Sequence, residues 1–126
     1  MFHLTKYTLE FPINSSVNIL YKRLSTPSGL SEWFADDIMI KDKIFTFFWD
    51  GSNQKAKLLQ LKTNQFIRFK WEENDTKEDY FEFLIQVDEM TLDVSLMITD
   101  FAEDDQDQKE QTELWNKQIS VLKRAI

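Results

Sequence analysis

The stretch LYKRLSTPSGLSEWFADDI, Leu20–Ile38, decides how this chain is read. Val17, Leu20, Tyr21 and Leu24 recur at helical spacing and form one apolar stripe. Asn14, Ser15 or Ser16 can cap that helix with a side-chain oxygen. Ser25-Thr26-Pro27 ends it, because a residue before proline is pushed out of the helical region. Leu30, Trp33 and Phe34 then lie three and four residues apart, so they share a face of a second, short helix starting at Ser28 or Gly29. Asp36-Asp37 reads as the turn that ends it. Whether the Trp-Phe-Ala-Asp-Asp run carries chemistry or architecture depends on its flanks.

Upstream, Tyr7, Leu9, Phe11 and Ile13 alternate with polar residues, the period of a strand with one buried face. The alternation extends weakly back to His3, and Pro12 suits a strand end or a sheet edge. Downstream, DIMIKDKIFTFFWDG reads as one long or bent strand with Phe45, Phe47 and Trp49 on one face. Asp50-Gly51-Ser52-Asn53 has hairpin chemistry. QKAKLLQLK follows as a strand, and Thr63-Asn64 turns the chain. FIRFKWEE sets Ile67, Phe69 and Trp71 against Arg68, Lys70 and Glu72. After a turn at Asn74-Asp75-Thr76-Lys77, YFEFLIQVDE groups Phe81, Phe83, Ile85 and Val87. TLDVSLMITDF groups Leu92, Val94, Leu96 and Ile98.

AEDDQDQKEQTELWNKQISVLKRAI closes the chain as a long helix, with acids at its start and Lys123-Arg124 at its end, as the helix dipole favours. Its buried stripe is Trp115, Ile119, Leu122 and Ile126, with Leu114 beside it and Val121 off it. The reading is an α+β fold. A six-stranded antiparallel meander carries two short helices between strands one and two, and the long helix covers one face. One domain over residues 1–126 accounts for the length.

That order resembles the helix-grip proteins of the START-like, or SRPBCC, superfamily, which includes the birch-pollen allergen fold. Within it, Leu24, Ser25, Pro27, Leu30 and Trp33, followed by Phe34, resemble the branch named for activators of the heat-shock chaperone ATPase. The resemblance implies a curved sheet wrapped around the C-terminal helix with a cavity between them. Many members bind a hydrophobic small molecule there. Some act in lipid transfer, some as cyclases, and some bind protein partners.

Composition narrows the function. The net charge of -7 gives no basic footprint for nucleic acid. The same balance disfavours anionic membrane surfaces. With no cysteine, thiol nucleophiles and thiolate metal sites are excluded. No run approaches the roughly 20 apolar residues of a membrane helix, and the N-terminus is not a signal peptide, so a cytoplasmic protein is expected. Two glycines cannot supply a phosphate or dinucleotide loop, and no cofactor is expected. Asp100, Glu103, Asp104, Asp105 and Asp107 lack the spacing and glycine of a calcium loop, so they read as a solvated helix start and no metal is expected. His3, the one histidine, reads as a surface or strand-end residue.

The aromatic load is the informative feature: 11 Phe and 4 Trp. Candidate cavity-lining residues are Trp33 and Phe34, then Phe45, Phe47, Trp49, Phe69, Trp71, Phe81 and Phe83 on the strands, and Trp115 and Ile119 on the long helix. They either fill the core or line a ligand space, and few polar groups point inward with them. Asp50 and Asp100, at strand ends, can reach a cavity mouth, but nothing in the sequence places them together. A cyclase-type enzyme needs such a converging pair. The expected function is therefore non-enzymatic binding of a small hydrophobic ligand. The alternative is a protein-partner or homodimer module, for which Ile44, Phe48, Leu84 and Met97 supply apolar groups on the opposite sheet face.

Overall fold

The computed structural model describes residues 4–74 and 78–126. His3 and the turn residues 75–77 lie outside the described residues. The elements are β1 (Thr5–Ile13), α1 (Val17–Ser25), α2 (Pro27–Leu30), β2 (Asp37–Lys41), β3 (Ile44–Trp49), β4 (Ser52–Lys62), β5 (Phe66–Trp71), β6 (Phe81–Val87), β7 (Val94–Ala102) and α3 (Asp105–Ala125). A 3-10 turn, Glu72–Asn74, follows β5.

Among the described residues the sheet has seven strands in the order β1-β7-β6-β5-β4-β3-β2, and neighbouring strands pair antiparallel. The sequence reading gave six. The extra strand comes from the run read as one long strand, which is a hairpin: Lys41 pairs with Ile44 across Asp42 and Lys43. Both turn residues have positive φ, 50° and 68°, the geometry of a two-residue turn whose twist matches its strands. No glycine marks that turn, so the apolar pattern runs through it unbroken. Leu92 is the second correction. It is 71% exposed at φ 64°, in the turn before β7, and does not share that strand's buried face.

The two helices after β1 are joined through one side chain. Ser16 caps α1, its side chain accepting from the Ile19 N–H. Thr26 Oγ1 donates to the Lys22 carbonyl at the end of α1 (2.7 Å) and accepts from the Gly29 N–H at the start of α2 (3.0 Å). Pro27 occupies the first turn of α2, where its missing N–H costs no hydrogen bond. Trp33 then donates from Nε1 to the Arg23 carbonyl at 2.7 Å, holding the following turn against α1.

The core lies between the curved sheet and the helices. Leu20, Leu24, Leu30, Phe47, Phe69 and Phe83 are fully buried in it. From α3, Trp115, Ile119 and Leu122 join this cluster, and Ile126 packs against it half-buried. Asp104 caps α3 by accepting from the Asp107 N–H at 2.8 Å, with acids in the first turn and Lys123 and Arg124 in the last. Asp104, Asp105 and Asp107 of the acidic run thus start a helix, whereas Asp100 lies in β7, half-buried, and is not part of a solvated helix start.

On the outer face, Arg68 pairs with Glu82 across β5 and β6 at 2.7 Å and lies 4.2 Å from the Tyr80 ring centroid. Ile44, Phe48, Leu84 and Met97 are half-buried. The exposed apolar side chains of the sheet include Met39, Ile40, Leu59 and Leu61. None of the described helices is long and apolar enough to cross a membrane.

Candidate functional site

The aromatic residues divide into two groups. Phe45, Phe47, Phe69, Phe81 and Phe83 are buried in the core, where neighbouring rings meet edge-on or stacked: Phe45 and Phe69 at 4.9 Å, Phe69 and Phe81 at 5.1 Å. Trp33 and Ile119 are packed in the same cluster. The other four of the eleven sequence candidates line a cleft of about 510 Å³, open to solvent, between α3 and one end of the sheet. They are Phe34, Trp49, Trp71 and Trp115.

Strand alternation explains the division. Phe45, Phe47 and Trp49 share one face of β3, and Ile67, Phe69 and Trp71 one face of β5. The inner members are buried in the core cluster that side chains of the helices share, whereas Trp49 and Trp71, at the strand ends, are half-buried. Their ring centroids lie 6.4 Å apart. Trp71 continues onto Phe81 at 4.8 Å, so the cleft floor is the last exposed layer of the core. Phe34 is the wall between the two regions. Its ring is 4.9 Å from Phe47 on the core side and 5.7 Å from Trp49 and 5.9 Å from Trp115 on the cleft side. Its carbonyl accepts from Trp49 Nε1 (2.9 Å) and Gln118 Nε2 (3.1 Å), tying the sheet to α3.

The polar lining was mostly missed in the sequence. Gln111, Leu114, Trp115 and Gln118 stand at i, i+3, i+4 and i+7 on α3, one stripe with two amides in it. That spacing was available, but an apolar-stripe search passes over glutamine. Ser52 and Gln54 begin β4, Glu73 and Asp79 flank the β5–β6 connection, and Asp100 and Phe101 end β7. These come from distant segments and meet only because the strand ends cluster. Asp50, the other strand-end acid, is exposed in its turn and does not line the cleft.

Asp100 is the most perturbed of these groups. Its Oδ1 accepts from the Phe101 N–H at 2.8 Å and its Oδ2 from Trp115 Nε1 at 3.1 Å. Burial nevertheless dominates and, with the charges of Asp79 and Asp107, pushes its carboxyl from 3.8 up to about 6. Tyr7 donates its hydroxyl to Gln111 Oε1, and burial together with Asp100 pushes that phenol well above its ordinary range.

The sign of the Asp100 effect is testable. A raised carboxyl means that the folded state holds its proton more tightly than the unfolded chain. This group therefore adds stability as pH falls through about 6 and withdraws it as pH rises. Between about pH 8 and about pH 5 the contribution is about 1 kcal/mol. In Asp100→Asn it vanishes, while the other carboxylates cancel in the comparison. Urea melts of both proteins at the two pH values should show the stability gap moving by that amount. A gap independent of pH would refute the assignment.

The START-like superfamily domain matches residues 1–126, and the chain belongs to that superfamily. Solved structures agree. The chain is 38% identical to BfR322 from Bacteroides fragilis, covering 99% of this chain and 92% of that one, with a TM-score of 0.70. It shares its fold with the Aha1 dimer from Colwellia psychrerythraea (18% identity, 96% and 95% covered, TM-score 0.79). It also matches part of DynU16, a protein of the dynemicin biosynthetic locus (11% identity, 94% of this chain and 46% of that one, TM-score 0.77). No curated protein matches at a significant level.

Proposed function

We propose that residues 1–126 form one non-enzymatic START-like domain, cytoplasmic in setting, that binds a small and mainly apolar molecule in the cleft beside α3. One observation carries this reading: a cleft of about 510 Å³ with Phe34, Trp49, Trp71 and Trp115 among its lining. That volume and mixture of aromatic and polar groups are those of small-molecule sites. The non-enzymatic reading is supported by the way its polar groups are engaged with one another. Trp115 is bonded to Asp100, Gln54 to Glu73 and Gln118 to the Phe34 carbonyl.

The test is a thermal-shift screen of apolar small molecules, with native mass spectrometry of the purified protein. A true ligand at about 100 times its Kd adds about 2.7 kcal/mol to stability, a shift of several degrees. Trp71→Ala should abolish the shift. A protein that carries nothing by mass and shifts with no compound would end this reading.

A homodimer is the second reading. Met39 (62% exposed) and Ile40 on the edge strand β2, with Leu59 and Leu61 on β4, are exposed apolar groups of the sheet, and the Colwellia relative is a dimer. Light scattering decides it, since a monodisperse monomer excludes the dimer.

A further inference from the structure

We infer that the cleft selects an organic cation, an amine or quaternary ammonium group carried on an apolar body. This rests on the reading that the cleft binds a small molecule, and it specifies which class.

The charge balance of the lining is one-sided. Glu73, Asp79 and Asp100 face the cleft, and among the described residues no lysine, arginine or histidine lines it. Lys70 Nζ lies 3.1 Å from Asp79 and balances that carboxylate. Asp100 and Glu73 are bonded instead to neutral donors, Trp115 and Gln54. The chain's net charge of -7 reinforces the local field and steers cations toward the site.

The hydrogen-bonding groups are biased the same way. Trp49 and Trp115 direct their indole N–H groups to protein oxygens. Gln54, Gln111 and Gln118 each direct an amide proton to Glu73, Asp107 and the Phe34 carbonyl. What remains toward the cleft is rich in acceptor oxygen and π-face. An anionic head group such as a fatty-acid carboxylate would meet like charge there. A neutral ligand would displace water from the carboxylates and return at most a hydrogen bond, with no charge to offset theirs. An ammonium group satisfies both parts of the lining: the carboxylates by charge, and the faces of Trp49 and Trp71 by cation–π attraction.

The experiment uses three probes with one apolar tail: decyltrimethylammonium, decanol and decanoate, each below its micelle concentration. Three of the four tryptophans line the cleft, so intrinsic fluorescence reports binding directly. The ammonium should bind about tenfold more tightly than either of the others, and its affinity should fall with added salt. Asp100→Asn and Glu73→Gln, made separately and checked by circular dichroism, should each weaken the ammonium several-fold and leave decanol unchanged. Decanol or decanoate binding as tightly as the ammonium overturns the cation while leaving a ligand cleft. Ammonium affinity unchanged in both variants does the same. No response to any of the three probes removes the cleft reading and the cation with it.

Discussion

Gly29→Ala should destabilise this protein sharply. A Cβ at Gly29 would lie 2.1 Å from the Lys22 carbonyl oxygen and 2.6 Å from the Arg23 Cα. Both neighbours are backbone, so no side chain can swing aside to make room. The last turn of α1 and the first of α2 would have to part. Parting them breaks the Thr26 bridge, whose hydroxyl serves Lys22 and Gly29 together. It also draws Trp33 from the Arg23 carbonyl. The expected loss is about 3 kcal/mol, the upper range for overpacking a tight site. It should appear in a urea melt as a lower midpoint with unchanged slope, and as a fall in Tm of roughly 10 °C. Ser28→Ala, on an exposed neighbour, serves as control. A Gly29→Ala protein melting with the parent would show that the α1–α2 junction is looser than drawn.

Phe34→Ala should lose about 3–5 kcal/mol, the cost of removing a buried ring and leaving its cavity. Phe34 is 4% exposed and meets Trp33, Phe47, Trp49, Phe81, Phe83 and Trp115, with ring centroids between 4.9 and 6.0 Å. Few neighbours can relax into the space, because the rings around it are also held by one another. Phe34→Leu keeps most of the volume and should cost about 1.5 kcal/mol or less. The pair of variants separates lost packing from lost aromaticity. If the alanine variant loses under about 1 kcal/mol, the ring is not the keystone its contacts suggest.

Most of the architecture was readable because its signals are local. The alternation in FIRFKWEE, the Thr-Pro break after α1 and the acid-to-base gradient of α3 each arise within one element. The unseen hairpin arose from Asp42-Lys43, a turn that departs from the usual glycine chemistry. Leu92 was misread because an apolar residue at positive φ keeps the period of the strand that follows it. The cleft was half legible. Its four aromatics were among the candidates, but alternation places residues on a face and says nothing of how far along that face the helices reach. That depth separates Trp49 and Trp71 from Phe47 and Phe69. The polar rim is less legible still, because Gln54, Asp79, Asp100 and Gln118 meet only through tertiary structure.

The carbonyl of Phe34 has a consequence for how this site tolerates inherited change. It receives both the Trp49 indole and the Gln118 amide, so the spacing between sheet and helix is referenced to a main-chain atom. Every amino acid supplies that atom. A volume-conserving change at position 34 can therefore alter the chemistry of the wall without erasing the fastening, whereas drift at 49 or 118 releases one of its two donors. A lineage could re-shape the ligand end of this fold through position 34 while keeping the gauge of the opening fixed.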